Sequence, residues 1–220
     1  MVFIYLQKIM KKRSLNWDKN DTLSLLEASL TNNKVILGDS DTVLGLLAQV
    51  SIKGKLALDT VKIRENKPYI VLINSIDKLD NFISQDINPN LQKLIQRCWP
   101  GPLTLIFNCN KNIFYLNQET VAIRIPNHQE LLKLLKFFPG LFSTSANLSG
   151  QPVPKSMDDV DLKVLEKVDY IVENKQKYPT LIPSTILDCT GQRIKVVREG
   201  AYDIKELEEI YGEPFIKEEI

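Results

Sequence analysis

The sequence predicts a single α/β domain built on a mixed sheet, and three observations support this prediction. Short apolar runs typical of buried strands alternate irregularly with segments of helical periodicity. Residues 184–188 and 193–197 have the pattern of two strands joined by a Thr190-Gly191 turn, so some neighbouring strands should be antiparallel. The 220 residues contain no repeat and no linker rich in Pro or Gly, although this length would also suit two small domains.

Several segments carry apolar residues at helical spacing. The first begins at Asp21 or Thr22, either of which is a suitable N-cap. It places Leu23, Leu26 and Leu30 on one face. The predicted helices cover residues 21–30, 55–64, 88–98, 129–138, 158–167 and 203–211. A further helix is expected in the apolar stretch that follows the polar turn 38–42 and runs through Val50.

The predicted strands are short runs of β-branched, aliphatic and aromatic residues. Besides the hairpin, they cover residues 34–37, 69–73, 103–107, 120–125 and 170–172, and residues 141–142 resemble the end of another strand. Trp99-Pro100-Gly101-Pro102 should form a rigid turn that directs the strand after it. The acidic tail beyond Gly212 is expected to fray.

We divide the chain into an N-terminal extension (1–16), a main domain (17–205) and a C-terminal helix with its tail (206–220). The first residues are apolar and then basic, the reverse of a secretory signal, so a strand or a loose tail is expected there. The sequence does not decide whether Met1 or Met10 is the start.

Composition narrows the functional classes. A net charge of +1 excludes a global field that would draw the chain to nucleic acid or membrane, so a basic site must be a local cluster. Cys98, Cys109 and Cys189 are far apart and lack metal-ligand spacing, which is typical of reduced cysteines in a cytoplasmic protein. The sequence contains no run of about 18 apolar residues, so no membrane span is predicted.

The segment Leu141–Pro152 is the most unusual stretch, because four hydroxyl side chains, two amides and a glycine follow an apolar start within a few residues. Such a run cannot be buried through hydrophobicity. Its hydroxyls and backbone N–H groups need polar partners, and an anion supplies many acceptors at once. The alternative is an ordinary turn rich in Ser and Asn, which is what such clusters usually form.

Six segments resemble the YrdC family in order and spacing. They are GDSDTVLGL (38–46), KIRENKPYIVLI (62–73), WPGPLTLIF (99–107), VAIRIP (121–126), STSANLSGQPVP (143–154) and STILDCTGQRIKVVREGA (184–201). The resemblance covers roughly residues 17–201 in the short, single-domain form of the family. It implies a twisted, YrdC/RibB-like mixed sheet with an open concave cavity, and synthesis of threonylcarbamoyl-AMP from L-threonine, bicarbonate and ATP.

The resemblance implies an ATP site made of convergent cations and hydrogen-bond donors. Lys62 and Arg64 match the family's KxR pair on the triphosphate and are the candidate catalytic residues, and Arg198 matches another ATP-binding arginine. The alternatives are a solvated basic helix end for the pair and a surface strand residue for Arg198. Positions at or near the nucleotide are matched by Thr120, Ser145, Asn147 and Val153.

Arg124 stands out from the residues alone, because it lies in the otherwise apolar strand 121–126. An unpaired buried charge costs several kcal/mol, so Arg124 needs an anionic partner. A structural Asp or Glu would satisfy this need. The resemblance implies instead the carboxylate of threonine, which suits a bidentate guanidinium. Ser40, Ser143 and Ser184 match family positions that help to hold the amino acid.

The chain departs from the family pattern at several positions. Asp39 and Leu44 replace the usual Pro and Tyr of the first motif, and Leu72 stands where some relatives have a His near the threonine. Arg64 lies four residues before Pro68, whereas many relatives have five, so the Lys62–Pro68 loop is shortened.

The implied reaction needs neither a protein nucleophile nor a metal cage of protein ligands. A carbamate formed on the threonine amine attacks the α-phosphate of ATP, and catalysis depends on placement and charge stabilisation. Mg²⁺ would enter with ATP. His128 is expected to be a surface or cap residue. Asp158, Asp159 and Asp161 are expected at a helix N-terminus and not on a metal.

Two other functions remain open from the sequence. One is an RNA-binding module with this fold, although near-neutral charge and the lack of interleaved aromatic and basic residues disfavour it. The other is a nucleotide-binding protein that has lost catalysis. The family also implies tRNA and transferase-complex proteins as partners, and no membrane.

Overall fold

The computed structural model describes residues 13–63, 68–110, 118–173 and 181–217. The helices are α1 (Thr22–Thr31), α2 (Ile52–Lys62), α3 (Pro89–Cys98), α4 (Gln129–Leu134), α5 (Leu162–Leu165) and α6 (Ile204–Tyr211). The strands are β1 (Ser14–Asn16), β2 (Ile36–Gly38), β3 (Gly45–Gln49), β4 (Ile70–Leu72), β5 (Leu103–Asn108), β6 (Thr120–Arg124), β7 (Leu141–Ser145), β8 (Tyr170–Glu173), β9 (Thr185–Asp188), β10 (Lys195–Arg198) and β11 (Ile216–Lys217).

The described strands form one sheet in the order β1-β8-β2-β3-β7-β4-β6-β5-β9-β10-β11. Parallel pairs such as β4 with β6 and β5 with β9 stand beside antiparallel pairs such as β3 with β7 and β9 with β10. This pattern confirms the predicted mixed sheet and the predicted hairpin of β9 and β10.

Both faces of the central strands are buried. On one face, Leu72 and Leu141 pack with the leucines of α1 and α4. On the other, Val71 and Phe142 pack with α2, α3 and α6. Because side chains alternate along a strand, each of these strands needs apolar residues at successive positions, which explains their continuous apolar runs.

The helix that was expected to end at Val50 is wrong, because Gly45–Gln49 forms strand β3 between β2 and β7. A continuous apolar run suits a strand buried on both faces as well as it suits a buried helix, so periodicity could not separate the two. The predicted helix 158–167 is also interrupted, since a 3-10 turn at Met157–Asp159 precedes the short helix α5.

The tail was expected to fray beyond Gly212, but residues 213–217 are ordered, so the prediction is wrong for them. Gly212 ends α6 with a φ of 92°, in the left-handed region that favours glycine. Phe215 is then buried, its backbone N–H donates to Glu208 Oε1, and β11 pairs in parallel with β10. A single buried aromatic thus ties the tail to the sheet.

At the other end, Ser14–Asn16 pairs with β8 and Trp17 is buried. Residues 1–12 lie outside the described residues. No helix in the described ranges has the length and apolar character that a membrane crossing requires.

Phe215→Ala should destabilise the protein by about 3 kcal/mol, because it removes a buried aromatic side chain and leaves a cavity. Phe137→Ala, at a side chain that is 52% exposed, is the matched control and should change the free energy of unfolding by less than about 1 kcal/mol. Urea unfolding of both variants measures the difference. Equal midpoints would contradict the packed tail.

Candidate active site

A cavity of about 310 Å³ opens over the sheet face that carries α1 and α4. Leu72 and Arg124 are neighbours in the register of β4 and β6, and Ile70 and Ser143 are neighbours in that of β4 and β7. Paired residues point to the same face, so these side chains meet at the cavity. The predicted site residues that line it are Ser40, Arg124, Ser143, Ser145, Val153, Ser184 and Arg198.

Arg124 ends β6 and is only 4% exposed. Its Nη2 donates to Asp41 Oδ1 at 2.9 Å, whereas its Nη1 is buried with no hydrogen-bond partner among the described residues. Burial lowers the pKa of Arg124, and the charge of Asp41 opposes that shift. A structural Asp therefore occupies one nitrogen, as one of the two sequence-based alternatives expected, and the other nitrogen still lacks an acceptor among the described residues.

Arg198 is the second cation of the cavity. Its Nε and Nη2 donate to the backbone oxygen of Ser184 at 3.1 and 2.8 Å, and Nη2 also donates to Ser184 Oγ at 3.2 Å. Burial lowers the pKa of Arg198, and the positive charge of Arg124 lowers it further. Two guanidinium groups that line one cavity are groups that could hold an anion there.

Serine hydroxyls surround these cations. Ser40 Oγ donates to the backbone oxygen of Val43 at 2.9 Å and accepts from the backbone N–H of Thr42 at 3.2 Å. Ser184 Oγ lies 2.8 Å from Thr104 Oγ1. These bonds fix the hydroxyl positions, and an oxygen has lone pairs left for a ligand N–H.

Lys62 lies at the end of α2 and is 2% exposed, so a solvated helix end is wrong for this residue. Its Nζ donates to the backbone oxygen of Ser145 at 2.7 Å, to Asn147 Oδ1 at 3.0 Å and to the backbone oxygen of Asn147. Lys62 thus brings α2 to the loop that follows β7. Ser145 Oγ donates to the same Asn147 Oδ1 at 2.6 Å.

Other predicted residues lie apart from this cavity. Asn147 lines an adjoining depression of about 380 Å³, which shares Val153 with the cavity. Thr120 begins β6, is exposed and does not belong to the described lining of the cavity. Arg64 lies outside the described residues.

The structure also shows polar residues near the site that the sequence did not place there. Asp41 is one, and the only sequence signal was a carboxylate in a polar turn. Asp39 is buried and accepts from Trp17 Nε1. His128 is an N-cap, as predicted, because its Nδ1 accepts from the backbone N–H of Leu131, but it is fully buried and not a surface residue.

Comparisons with known proteins agree with this architecture. The Sua5/YciO/YrdC family model, described as "Telomere recombination", matches residues 28–200. A Methanocaldococcus jannaschii protein provisionally assigned as a threonylcarbamoyl-AMP synthase is 32% identical over 91% of this chain and 96% of its own length. The threonylcarbamoyl-AMP synthases of Pyrococcus abyssi and Bacillus subtilis are 27% and 32% identical over 84% of this chain, which spans about half of their length, 55% in each case.

Solved structures share the fold. The crystal structure of P. abyssi Sua5 complexed with L-threonine matches with a TM-score of 0.80 and 25% identity, over 92% of this chain and 61% of that one. The crystal structure of Escherichia coli YciO matches with a TM-score of 0.74 over 89% of this chain and 98% of that one, and at 19% identity it supports the fold alone.

Gly200→Ala should perturb the site through the backbone. A Cβ at Gly200 would lie 2.4 Å from the backbone oxygen of Pro183 and 2.5 Å from the carbonyl carbon of Ser184, so the segment bound by Arg198 must shift. We expect a loss of about 2 kcal/mol, as for overpacking. In the control Gly191→Ala, the nearest atom to the new Cβ is 3.7 Å away. Thermal unfolding should show a drop in Tm for Gly200→Ala alone, and equal Tm values would contradict this close approach.

Proposed function

Because the chain belongs to the Sua5/YciO/YrdC family, we propose that it is a threonylcarbamoyl-AMP synthase, a nucleotidyltransferase that joins L-threonine, bicarbonate or CO₂, and ATP. The observation that carries the proposal is the cavity itself. It combines buried Arg124, whose Nη1 has no partner among the described residues, with the second cation Arg198 and a set of serine hydroxyls. A zwitterion beside a polyanion needs these groups.

We assign the amino acid to the Arg124 side of the cavity. The threonine carboxylate would accept from Arg124 Nη1, the nitrogen that has no partner among the described residues. The hydroxyls of Ser40, Ser143 and Ser184 would orient the amine and side chain. Leu72 forms an apolar part of the cavity lining on the Arg124 side.

ATP would occupy the Arg198 side. Arg198, together with Arg64, would face the triphosphate. Ser145, Asn147, Val153 and Thr120 would contribute near the nucleotide, and Lys62 would act by holding the first two of these in place. Lys62 supports this assignment indirectly, because its ammonium already holds the backbone of Ser145 and Asn147. Mg²⁺ would arrive with ATP and keep several of its waters.

The reaction then needs placement more than protein chemistry. The threonine nitrogen bonds to the carbon of CO₂ and loses a proton, which gives a carbamate. A carbamate oxygen attacks the α-phosphorus of ATP, the bond to the β-phosphate oxygen breaks, and pyrophosphate leaves. Arg198 would stabilise the charge that develops on the phosphate oxygens. The product would pass in the cytoplasm to a transferase complex that modifies tRNA.

Pyrophosphate release tests the proposal directly. The chain, ATP and Mg²⁺ should release pyrophosphate only when threonine and bicarbonate are both present. Release without threonine would contradict the proposal. ATP binding without turnover would support the alternative of a nucleotide-binding protein that has lost catalysis, and RNA binding without turnover would support an RNA-binding module.

Arg124→Ala should raise the threonine KM by about 30-fold, because a hydrogen bond to a charged group contributes about 1.5–3 kcal/mol. The ATP KM should change by less than about threefold, since the lost donor faces the amino acid. Arg97→Ala, at an exposed arginine of α3, is the control. Steady-state kinetics with each substrate varied in turn measures both constants. Equal shifts in the two constants would show that Arg124 does not select the amino acid.

Lys62→Met should act mainly on the nucleotide. It keeps the length of the side chain but removes the donors that hold Ser145 and Asn147. We expect the ATP KM to rise about tenfold with a much smaller change for threonine. Lys55→Met removes an ammonium from the same helix, where it pairs with Asp59, and serves as control. A larger rise in the threonine KM than in the ATP KM would contradict the assignment of Lys62 to the nucleotide.

A further inference from the structure

Two segments that are distant in sequence are joined beside the cavity by the carboxylate of Asp41. One oxygen accepts from Arg124 Nη2 at 2.9 Å, and the other accepts from the backbone N–H of Asn127 at 3.0 Å. We call these two bonds the Asp41 clasp. Because each oxygen has its own donor on the segment that ends β6, the carboxylate has one preferred orientation.

The turn that carries Asp41 is anchored on its other side as well. Asp39 accepts from Trp17 Nε1, and His128 Nε2 lies 3.7 Å from Asp39 Oδ1. Ser40 therefore lies between two carboxylates that both face the segment 124–128. Asp41 bonds to its first part, and Asp39 lies near His128 at its end. The polar turn 38–42 is held as a unit against the end of β6.

The clasp decides which part of Arg124 is available. The backbone of Arg124 is already fixed, since its carbonyl accepts from the N–H of Ile73 and it pairs with Leu72 across β4 and β6. Its side chain still has several rotatable bonds. With Nη2 bound to Asp41, Nη1 is the terminal nitrogen left without a partner among the described residues.

The charge of Arg198 makes this restraint necessary. The two guanidinium groups line the same cavity, so repulsion favours an Arg124 rotamer turned away from Arg198. The negative charge of Asp41 attracts the guanidinium of Arg124 and holds it against the turn in spite of this repulsion. It does not belong to the described lining of the cavity, so it would act through Arg124 and not on substrate.

We propose that Asp41 is the positioning residue for Arg124, and that the Asp41 clasp presents a single guanidinium nitrogen to the carboxylate of the amino acid. This inference rests on the proposed function. It goes beyond it by placing the recognition of the amino acid partly in a residue that does not touch it.

Positioning and simple electrostatics predict opposite results for Asp41→Asn. The substitution keeps the size of the side chain and removes one negative charge. If Asp41 acted only through its charge, the cavity would become more positive, and both ATP and the carboxylate of threonine would be held more tightly. If Asp41 positions Arg124, the threonine KM should rise about tenfold while the ATP KM stays within about threefold of wild type.

A double-mutant cycle separates positioning from a general structural role. Asp41→Ala should raise the threonine KM at least tenfold in the wild-type background and by less than twofold in the Arg124→Ala background, because nothing is then left to position. A structural role would give the same factor in both backgrounds. Asp169→Asn, which alters a carboxylate bonded to Ser29 Oγ away from the cavity, is the control and should leave both constants unchanged.

Each outcome has a definite meaning. If wild-type protein shows no threonine-dependent pyrophosphate release, the proposed function fails and this inference fails with it. If wild type is active but Asp41→Asn has an unchanged or lower threonine KM, the clasp alone is wrong. Should Asp41→Ala not fold, the nearly isosteric Asp41→Asn, combined with Arg124→Ala, provides the same cycle.

Discussion

A positive charge buried at the end of a strand is the constraint on which the site depends. Arg124 is 4% exposed and is the last residue of β6, so its charge requires acceptors within hydrogen-bonding distance. Asp41, which is 83 positions away in sequence, supplies one of them. The polar turn after β2 must therefore lie against the end of β6, and this requirement brings Ser40 to the same cavity.

One face of the sheet contributes both to the hydrophobic core and to the lining of the cavity. Along β7, Leu141 packs beneath α1 and α4, whereas Ser143 and Ser145 continue on the same face into the cavity. The alternation of a strand keeps these residues aligned. The packing of Leu141 in the core thus also holds Ser143 and Ser145 in place, because all three belong to the same strand.

Sequence patterns were reliable where a period was long and clear, and less reliable elsewhere. The helices α1, α3 and α6 follow their apolar spacing, and β9 with β10 follows its turn signal. β3 was mistaken for a helix because a strand buried on both faces lacks alternation. Thr120 was chosen through resemblance to a family, and the described cavity does not include it.

The sequence by itself determined the class of fold, the family and most of the polar residues of the cavity, because these depend on local periodicity and on motifs that are contiguous in the chain. Only the tertiary structure decided the partners. Lys62 is buried against Ser145 and Asn147, and Asp41 binds one nitrogen of Arg124 while Nη1 keeps no partner among the described residues. Both are contacts between segments that are distant in sequence. Such contacts depend on how the strands are ordered in the sheet, and no local pattern encodes that order.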